Sequence, residues 1–292
     1  MRIRTTVAAV TGALALSALA VPAAHADDTA NLPHIPTSVA EFFGSDPQGA
    51  PKAASAAAAT SEPVISKVVV NGGKDIVLGT TASKTVSATF TASHSSGISE
   101  AFIALWHGKD LSLPETVDGA VESNEDGAKC TKVNATTSTC KATFTIDPRY
   151  HLYKNSLAGT WKVAVAAVSG DETSAAVKEA FKTVGVQRLS KLTVNAAPEP
   201  VKKGGTITVT GKLSRANWED YAYHGYTGQS VKLQFRKKNS STYTTVKTIK
   251  TNSTGNLKTT VKASVDGYWR YSFGGTSTTP AVTTAGDFVD VR

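Results

Sequence analysis

The sequence has only two cysteines and one methionine in 292 residues, and it lacks the common local catalytic motifs. It contains no G-x-S-x-G, H-E-x-x-H, G-x-G-x-x-G or Gly-rich phosphate loop. These absences favour a non-enzymatic protein. A hydrolase whose catalytic residues converge from distant positions is left as an alternative, because catalytic sets need not be local in sequence. The histidines after residue 26 stand in no recognisable ligand or triad spacing: His34, His94, His107, His151 and His224.

The N-terminus has the pattern of a secretory signal peptide. Arg2 and Arg4 precede an apolar run, and Ala24-His25-Ala26 has the small-x-small form that signal peptidases cut. The apolar run is short for a permanent membrane anchor, and no later stretch is long enough to span a bilayer. We therefore predict a signal peptide over residues 1–26 and a secreted, extracellular mature chain.

The two cysteines, Cys130 and Cys140, are ten residues apart in the segment CTKVNATTSTC. A redox pair would more often show C-x-x-C spacing, and a zinc site would need further Cys or His ligands nearby. In an exported chain, a close pair of cysteines is usually a disulfide. Alternation places Cys140 on the same strand face as Phe144 and Ile146, so its sulfur points into a core. We predict a structural disulfide across a β-hairpin.

Short alternating runs bounded by Gly, Asn, Asp or Ser recur after residue 62, and long helical periodicity is absent there. This pattern is typical of half-buried antiparallel strands and predicts an all-β fold. The two clearest runs place the following residues on the inward face: Leu257, Thr259, Val261, Ala263 and Val265, then Trp269, Tyr271 and Phe273.

Three segments occur twice in the same order. SKVVVN reappears as SKLTVN, KTVSATFTAS as GTITVTGKLS, and GTWKVAV as GYWRYSF, which aligns Trp161 with Trp269. About 100 residues with seven or so short strands is the size of an immunoglobulin-like sandwich. We predict two tandem immunoglobulin-like β-sandwich domains, residues 64–186 and 189–292, with a link so short that it restricts their relative orientation.

Residues 27–63 precede these domains and are interrupted by several prolines. Ser38 and Glu41 have capping-box spacing, which leaves a short helix at residues 37–43 as an alternative. The segment has little apolar surface to bury, so we expect it to be mostly disordered.

The C-terminal segment from Gly228 to Val291 contains V-K-L-Q-F-R-K, then T-x-x-T-V-K-T, then G-x-W-R before a short G-x-S-T turn. In these features it resembles the immunoglobulin-like modules of secreted proteins from Gram-positive, high-GC bacteria. The resemblance implies the sandwich fold, and some such proteins are loosely labelled calcium-binding. It implies no catalytic residue, because Trp269 and Phe273 of the shared motif are core residues.

An acidic segment resembles the first half of a calcium-binding loop. Glu122, Asn124 and Asp126 stand at positions 1, 3 and 5, followed by a glycine at position 6. Position 12, where a bidentate Glu is needed, is Val133. Calcium is therefore a candidate cofactor only if another loop completes the site; otherwise we predict no cofactor and a solvated acidic hairpin.

Positive charge is concentrated in the C-terminal part. Residues 188–292 contain 16 Lys and Arg against 6 Asp and Glu, whereas residues 27–187 contain 13 against 17. A basic surface attracts polyanions. For an exported protein we expect an anionic cell-wall polymer or acidic polysaccharide as partner, and no nucleic acid; the sequence points to no protein partner.

Alternation predicts which sheet carries part of this charge. The strands holding Lys232, Arg236 and Arg270 would lie in one sheet of a sandwich, with these side chains outward, and Lys258 and Lys262 would lie in the other sheet. We predict that the first three form a polyanion-binding patch, extended by the lysines at 237 and 238. The alternative is that the cations serve solubility and edge protection.

One loop holds four aromatic residues, Trp218, Tyr221, Tyr223 and Tyr226. Exposed rings on a loop would suit sugar rings, and the alternative is that Trp218 caps the core at the end of the sandwich. These features predict a secreted, non-enzymatic binding or structural module, with a calcium-binding protein and a cryptic hydrolase as the alternatives.

Overall fold

β-Strands dominate the computed structural model, which describes residues 61–292. The predicted signal peptide and the predicted segment before the first domain, as far as residue 60, lie outside the described residues. No helix within residues 61–292 is long and apolar enough to cross a membrane.

Nine strands are formed by residues 61–188, and they assemble into two sheets. In chain order the strands are β1 (Val64–Val70), β2 (Ile76–Leu78), β3 (Lys84–Ser93), β4 (Ile98–Gly108), β5 (Val117–Val121), β6 (Lys129–Lys132), β7 (Thr137–Ile146), β8 (Gly159–Ser169) and β9 (Ala175–Arg188).

The first sheet has the order β1-β3-β7-β6, and the second has the order β2-β9-β8-β4-β5. The chain switches from the first sheet to the second between β1 and β2. Strand β1 pairs antiparallel with β3 in the first sheet, and β2 pairs parallel with β9 in the second. The switch follows a tight turn at Asn71–Gly73, where Gly72 and Gly73 have positive φ and carry no Cβ to strain that backbone. Two facing sheets in this strand order form an immunoglobulin-like sandwich.

Residues 189–292 contribute ten shorter strands. They are β10 (Ser190–Leu192), β11 (Asn195–Ala197), β12 (Thr206–Ala216), β13 (Tyr223–Gly225), β14 (Ser230–Lys237), β15 (Thr244–Lys250), β16 (Asn256–Lys262), β17 (Gly267–Phe273), β18 (Val282–Thr283) and β19 (Asp287–Val289).

These strands also form two sheets. In one, β12 pairs with β10, β11, β13 and β16; in the other, the order is β15-β14-β17, and both β18 and β19 pair with β17. A parallel bridge between Val201 and Val291 corresponds to the parallel β2–β9 pairing of the first half. The predicted repeats therefore occupy equivalent strands: β1 with β10, β3 with β12, and β8 with β17.

Burial follows the predicted alternation. Cys140, Phe144 and Ile146 are buried on β7, and Trp161 and Trp269 are each the buried third residue of a strand at the centre of its sheet. The exception is Val265, which we predicted to face inward and which is 42% exposed. The strand β16 ends at Lys262, so the alternation of that strand no longer applies to Val265.

The α-helical content of residues 61–292 is a single turn, α1 (Pro148–His151). Asp147 caps it by accepting a 2.8 Å hydrogen bond from the backbone N–H of Arg149, and proline at the first helical position suits a helix start. Three-residue 3₁₀ turns occur at Asn71–Gly73, Pro114–Thr116 and Asn155–Leu157.

The predicted link between the halves is shorter than expected. Strand β9 continues to Arg188, and only Leu189 separates it from β10. Arg188 is buried, and its Nε donates a 2.6 Å hydrogen bond to the carbonyl oxygen of Ala216. Burial, together with nearby Arg215, lowers the pKa of the Arg188 guanidinium to about 10. The described residues all belong to one compact unit.

Candidate functional site

The outward face of the β14–β17 pair carries the cations that the sequence singled out. Leu233 on β14 and Trp269 on β17 point into the core, so their neighbours point away from it. Lys232 is opposite Ser272, Arg270 is opposite Gln234, and Arg236 is opposite Tyr268. Lys258 and Lys262 are on β16, which belongs to the other sheet, as predicted.

Two arginines on this face lie against aromatic rings. The guanidinium carbon of Arg270 lies 3.6 Å from the ring centroid of Tyr243, and that of Arg236 lies 3.9 Å from Tyr268 and 5.4 Å from Tyr243. The ring of Phe288 continues the series at 5.1 Å from Tyr268. We refer to these five neighbouring groups, Phe288, Tyr268, Arg236, Tyr243 and Arg270, as the outer ladder.

Hydrogen bonds fix the orientation of both guanidinium groups. Arg270 Nε donates a 2.8 Å bond to Oε1 of Gln234, and Arg236 donates a 2.7 Å bond to the carbonyl oxygen of Ser240. The ring contacts and hydrogen bonds already restrict the rotamers of both arginine side chains. Less conformational entropy is therefore lost when these side chains bind a ligand. Both arginines are half-buried. The ladder therefore presents preorganised planar cations.

Tyr243 lies across the face because Gly286 leaves room for it. A Cβ at Gly286 would collide with the hydroxyl oxygen of Tyr243 and with the Cβ of Tyr268. The Tyr243 ring thus approaches the backbone of Gly286 too closely to leave space for a side chain at that position. Arg236 and Arg270 both lie against this ring.

Within residues 61–292, the cations of the ladder have no carboxylate partner. The ion pairs formed by residues 61–292 join His107 to Asp118, Arg149 to Asp147, His224 to Asp220, Lys238 to Asp266 and Arg292 to Asp290. Lys232, Arg236 and Arg270 take part in none of them. Since an unpaired cation keeps its full attraction for an anion, this face is positively charged without internal compensation.

The aromatic loop has a different role from the ladder. It forms the tip of the β12–β13 hairpin, and Trp218 at the tip is fully buried in the core of the first half of the protein. Its backbone N–H donates a 3.0 Å hydrogen bond to the side-chain oxygen of Asn155. The indole therefore joins the two halves and is not available to a sugar ring at the surface.

The three tyrosines of this loop differ in how far other side chains cover their rings. Tyr223 is covered by Lys191, whose Nζ lies 3.6 Å from its ring centroid, and Tyr226 is covered by the guanidinium of Arg215 at 3.9 Å. Tyr221 is 43% exposed. The four aromatic residues thus do not form one open platform.

The predicted disulfide is present. Cys130 on β6 and Cys140 on β7 are directly opposite each other, with Cα atoms 3.9 Å apart, and their sulfurs are bonded. Cys140 is completely buried. The bond joins neighbouring strands of one sheet.

The acidic segment is engaged with the sheet. The side chain of Asn124 donates to Oγ1 of Thr143 at 2.8 Å and accepts from the backbone N–H of Thr145 at 3.2 Å. The carboxylate of Glu125 accepts two 2.8 Å hydrogen bonds from Thr143, one from the hydroxyl and one from the backbone N–H. The bond from the Thr143 backbone N–H is the main cause of the lowered pKa of Glu125. These side chains hold the loop against the edge of β7.

The segment also borders a cavity of about 540 Å³ whose lining includes Glu100 and Asp126. Among residues 61–292, no group of three or more His, Cys, Asp and Glu is arranged to hold a metal ion. Glu122, Asn124 and Asp126 therefore do not assemble a calcium site with other acidic residues of the described chain.

Three histidines form hydrogen bonds with other side chains, and His94 has two such partners, because its Nε2 also lies 3.4 Å from Oγ of Ser61. His107 Nδ1 is 2.5 Å from an Asp118 oxygen, His224 Nε2 is 2.5 Å from an Asp220 oxygen, and His94 Nδ1 is 2.7 Å from Oγ of Ser96. The Ser–His contacts have no carboxylate in them, and the two His–Asp contacts have no hydroxyl or thiol. The hydrogen bonds described for residues 61–292 do not join a nucleophile, a histidine and a carboxylate into a triad.

Comparison with known proteins gives a family match over part of the chain. Residues 78–167 match the model of a family of unknown function (DUF5707). The match covers most of the first sandwich and none of the outer ladder. No curated protein matches the chain.

Among solved structures, similar ones include fibronectin(III)-like modules of CbhA from Clostridium thermocellum, at 11% identity and a TM-score of 0.30, covering 77% of this chain and 93% of that chain. The D00-D0 domain of intimin is 16% identical with a TM-score of 0.25, covering 77% and 99%. Scores this low carry no weight for fold or function. The immunoglobulin-like assignment rests on the chain's own strand order.

Proposed function

We propose that the protein is an exported, non-catalytic binding module and that the outer ladder with Lys232 binds an anionic polymer of the cell surface. The observation that carries the proposal is the pair of arginines that lie against tyrosine rings and have no carboxylate partner among residues 61–292. A buried disulfide supports export, because such bonds persist in oxidising environments.

The geometry of the ladder suits exposed anionic groups. Planar guanidinium groups can donate two parallel hydrogen bonds to a phosphate or carboxylate, and such charge-assisted bonds are stronger than neutral ones. The flat outward face of a sheet has room for an extended polymer. On the opposite sheet, Lys258 and Lys262 lack this aromatic support in the described contacts and are expected to contribute only through long-range attraction.

The test is retention of the secreted chain on immobilised heparin and on purified anionic wall polymer, with immobilised dextran as the neutral control. We expect retention on both polyanions, elution by salt, and no effect of a calcium chelator. Salt elution is expected because screening acts over about 10 Å at 0.1 M ionic strength. Retention that needs calcium would favour the calcium alternative instead.

A matched pair of variants separates the ladder from net charge. Lys232→Glu with Arg236→Glu and Arg270→Glu reverses three cations of the outer face. Lys212→Glu with Lys258→Glu and Lys262→Glu makes the same change in net charge on the other sheet, where all three lysines are exposed. We expect the first variant to lose retention and the second to keep most of it. Equal loss in both folded variants would mean that net charge alone is responsible.

A further inference from the structure

The cations of the outer face follow one another at a regular interval. Lys232 and Arg236 are four residues apart on β14, and Arg270 is opposite Gln234, midway between them. Alternate residues on one face of a strand are about 6.6 Å apart, because the rise is about 3.3 Å per residue. Arg270 is on the neighbouring strand β17, about 4.8 Å to the side, so the three cations form a zigzag row in the order Lys232, Arg270 and Arg236, with backbone positions about 8 Å apart.

The row ends at Lys238. Its backbone N–H donates a 3.0 Å bond to the carbonyl oxygen of Asp266, which continues the β14–β17 pairing by one position. Its Nζ lies 3.5 Å from the carboxylate of Asp266, so its charge is partly compensated. Lys232, Arg270 and Arg236 are thus the members of the row that have no carboxylate partner within residues 61–292.

The spacing of the row can be compared with that of anionic polymers. In a chain of glycerol units joined by phosphodiesters, six single bonds separate successive phosphorus atoms. They span about 7 Å when extended, since the three bonds between Cα atoms of a peptide unit span 3.8 Å. A polysaccharide with one carboxylate per disaccharide separates its charges by two sugar rings, which is a longer repeat.

Single-stranded nucleic acid has the same number of bonds between its phosphates, and a second feature distinguishes it. Proteins that bind single strands stack the bases on free aromatic rings. Here each ring of the ladder already has one of the protein's own cations within 5.4 Å of its centroid: Arg270 on Tyr243, Arg236 on Tyr268 and Lys238 on Phe288. The rings serve the arginines, so the face offers charge at a fixed interval without an open stacking surface.

From the spacing and the occupied rings together, we propose that the outer face binds a polyol phosphate polymer, with Lys232, Arg270 and Arg236 each contacting one of three consecutive phosphates. This inference rests on the proposed polyanion-binding function and makes it specific. The guanidinium N–H groups that are not used within the protein can donate to a phosphodiester, which has two unesterified oxygens and one negative charge.

The test is calorimetric titration of the full secreted chain with oligo(glycerol phosphate) carrying two, three, four or six phosphates. Hyaluronan oligosaccharides, which carry one carboxylate per disaccharide, and single-stranded oligo-dT with equal numbers of charges are the comparison ligands. We expect the affinity to rise steeply up to three phosphates and then to level off. At three charges we expect glycerol phosphate to bind about tenfold tighter than either comparison ligand, because specificity is a difference of affinities.

A single substitution tests the register of the row. Lys232→Ala removes its first member, so the affinity is expected to level off at two phosphates instead of three. Lys237→Ala removes a neighbouring exposed lysine outside the row and is expected to leave the length dependence unchanged. The same length dependence in both variants would contradict the proposed register.

The outcomes separate this inference from the function on which it rests. If all ligands of equal charge bind alike and the triple Glu variant of the outer face loses them all, the polyol phosphate proposal fails and polyanion binding stands. If oligo-dT binds tightest, the ligand class is nucleic acid and the proposal fails. If no polyanion binds, the proposed function itself fails.

Discussion

Trp218 donates a 2.9 Å hydrogen bond from its indole Nε1 to the carbonyl oxygen of Gly79, 139 residues earlier in the chain. One residue belongs to the β12–β13 hairpin and the other to the sandwich formed by residues 61–188. The indole is fully buried in the core of that sandwich. The second half of the protein thus contributes to the core of the first half, across a link of one residue between β9 and β10.

We predict that Trp218→Ala destabilises the first half of the protein. Removing a buried indole leaves a cavity and costs about 3–5 kcal/mol in the free energy of unfolding. Urea denaturation would measure this, and hydrogen exchange would show whether amides of residues 61–188 lose protection. The control is Tyr221→Ala on the same loop, which is exposed and is expected to change stability by less than about 0.5 kcal/mol. Similar stability of the two variants would argue against the indole as the joining element.

Removal of the disulfide is predicted to lower stability without changing the ladder. Cys130→Ala with Cys140→Ala should reduce the free energy of unfolding by about 2–4 kcal/mol, mainly because the unfolded chain gains freedom. A reducing agent should destabilise the wild type by a similar amount and have no further effect on the double variant. Retention on a polyanion column should be unchanged, since the disulfide lies in the other half of the protein. A double variant as stable as the wild type would contradict this prediction.

Acid stability is predicted to depend on the cap of α1. Hydrogen bonds from the Arg149 side chain are the main cause that lowers the pKa of Asp147 to about 2. A carboxyl with a depressed pKa stabilises the folded state above its usual value near 3.8, and this stabilisation is lost as the pH falls toward 2. The stability difference between wild type and Asp147→Asn should therefore be constant near neutral pH and shrink in this acidic range.

Thermal unfolding followed by circular dichroism across that pH range would test the acid-stability prediction. The control is Glu115→Gln, an exposed acidic residue in the 3₁₀ turn before β5, for which we expect a much smaller dependence. A stability difference for Asp147→Asn that does not vary with pH would show that the charge of Asp147 has no such role.

Gly286→Ala is predicted to disturb the ladder without touching any charge. Its Cβ would displace the Tyr243 ring, and overpacking of this kind costs about 1–3 kcal/mol. Because Arg236 and Arg270 both lie against Tyr243, we expect the variant to elute from heparin at lower salt than the wild type. Gly274→Ala, where the added Cβ meets no atom within 4 Å, is the matched control. Identical elution of the two folded variants would mean that stacking on Tyr243 does not matter for binding.

The sequence predicted the placement of three outward cations in one sheet and missed the residues that lie against them. Alternation along β14 and β17 placed Lys232, Arg236 and Arg270 outward in one sheet, and the same parity would have placed Tyr268 beside them. No local signal could have found Tyr243 or Phe288, because they come from a loop and a different strand and meet the arginines only across the sheet. For the aromatic loop, core packing and ligand binding look alike in sequence, since both use large rings.

Local chemistry determined the elements: alternation set the strands and their inward faces, internal repetition indicated two equivalent sandwiches, and the cysteine spacing indicated the disulfide. These features depend on residues near one another in the chain, where backbone geometry fixes which side chains share a face. Contacts between distant residues were decided only by the tertiary structure. Trp218 enters the other half's core, and Tyr243 crosses a sheet above Gly286, because both depend on how separate elements pack, which periodicity does not encode.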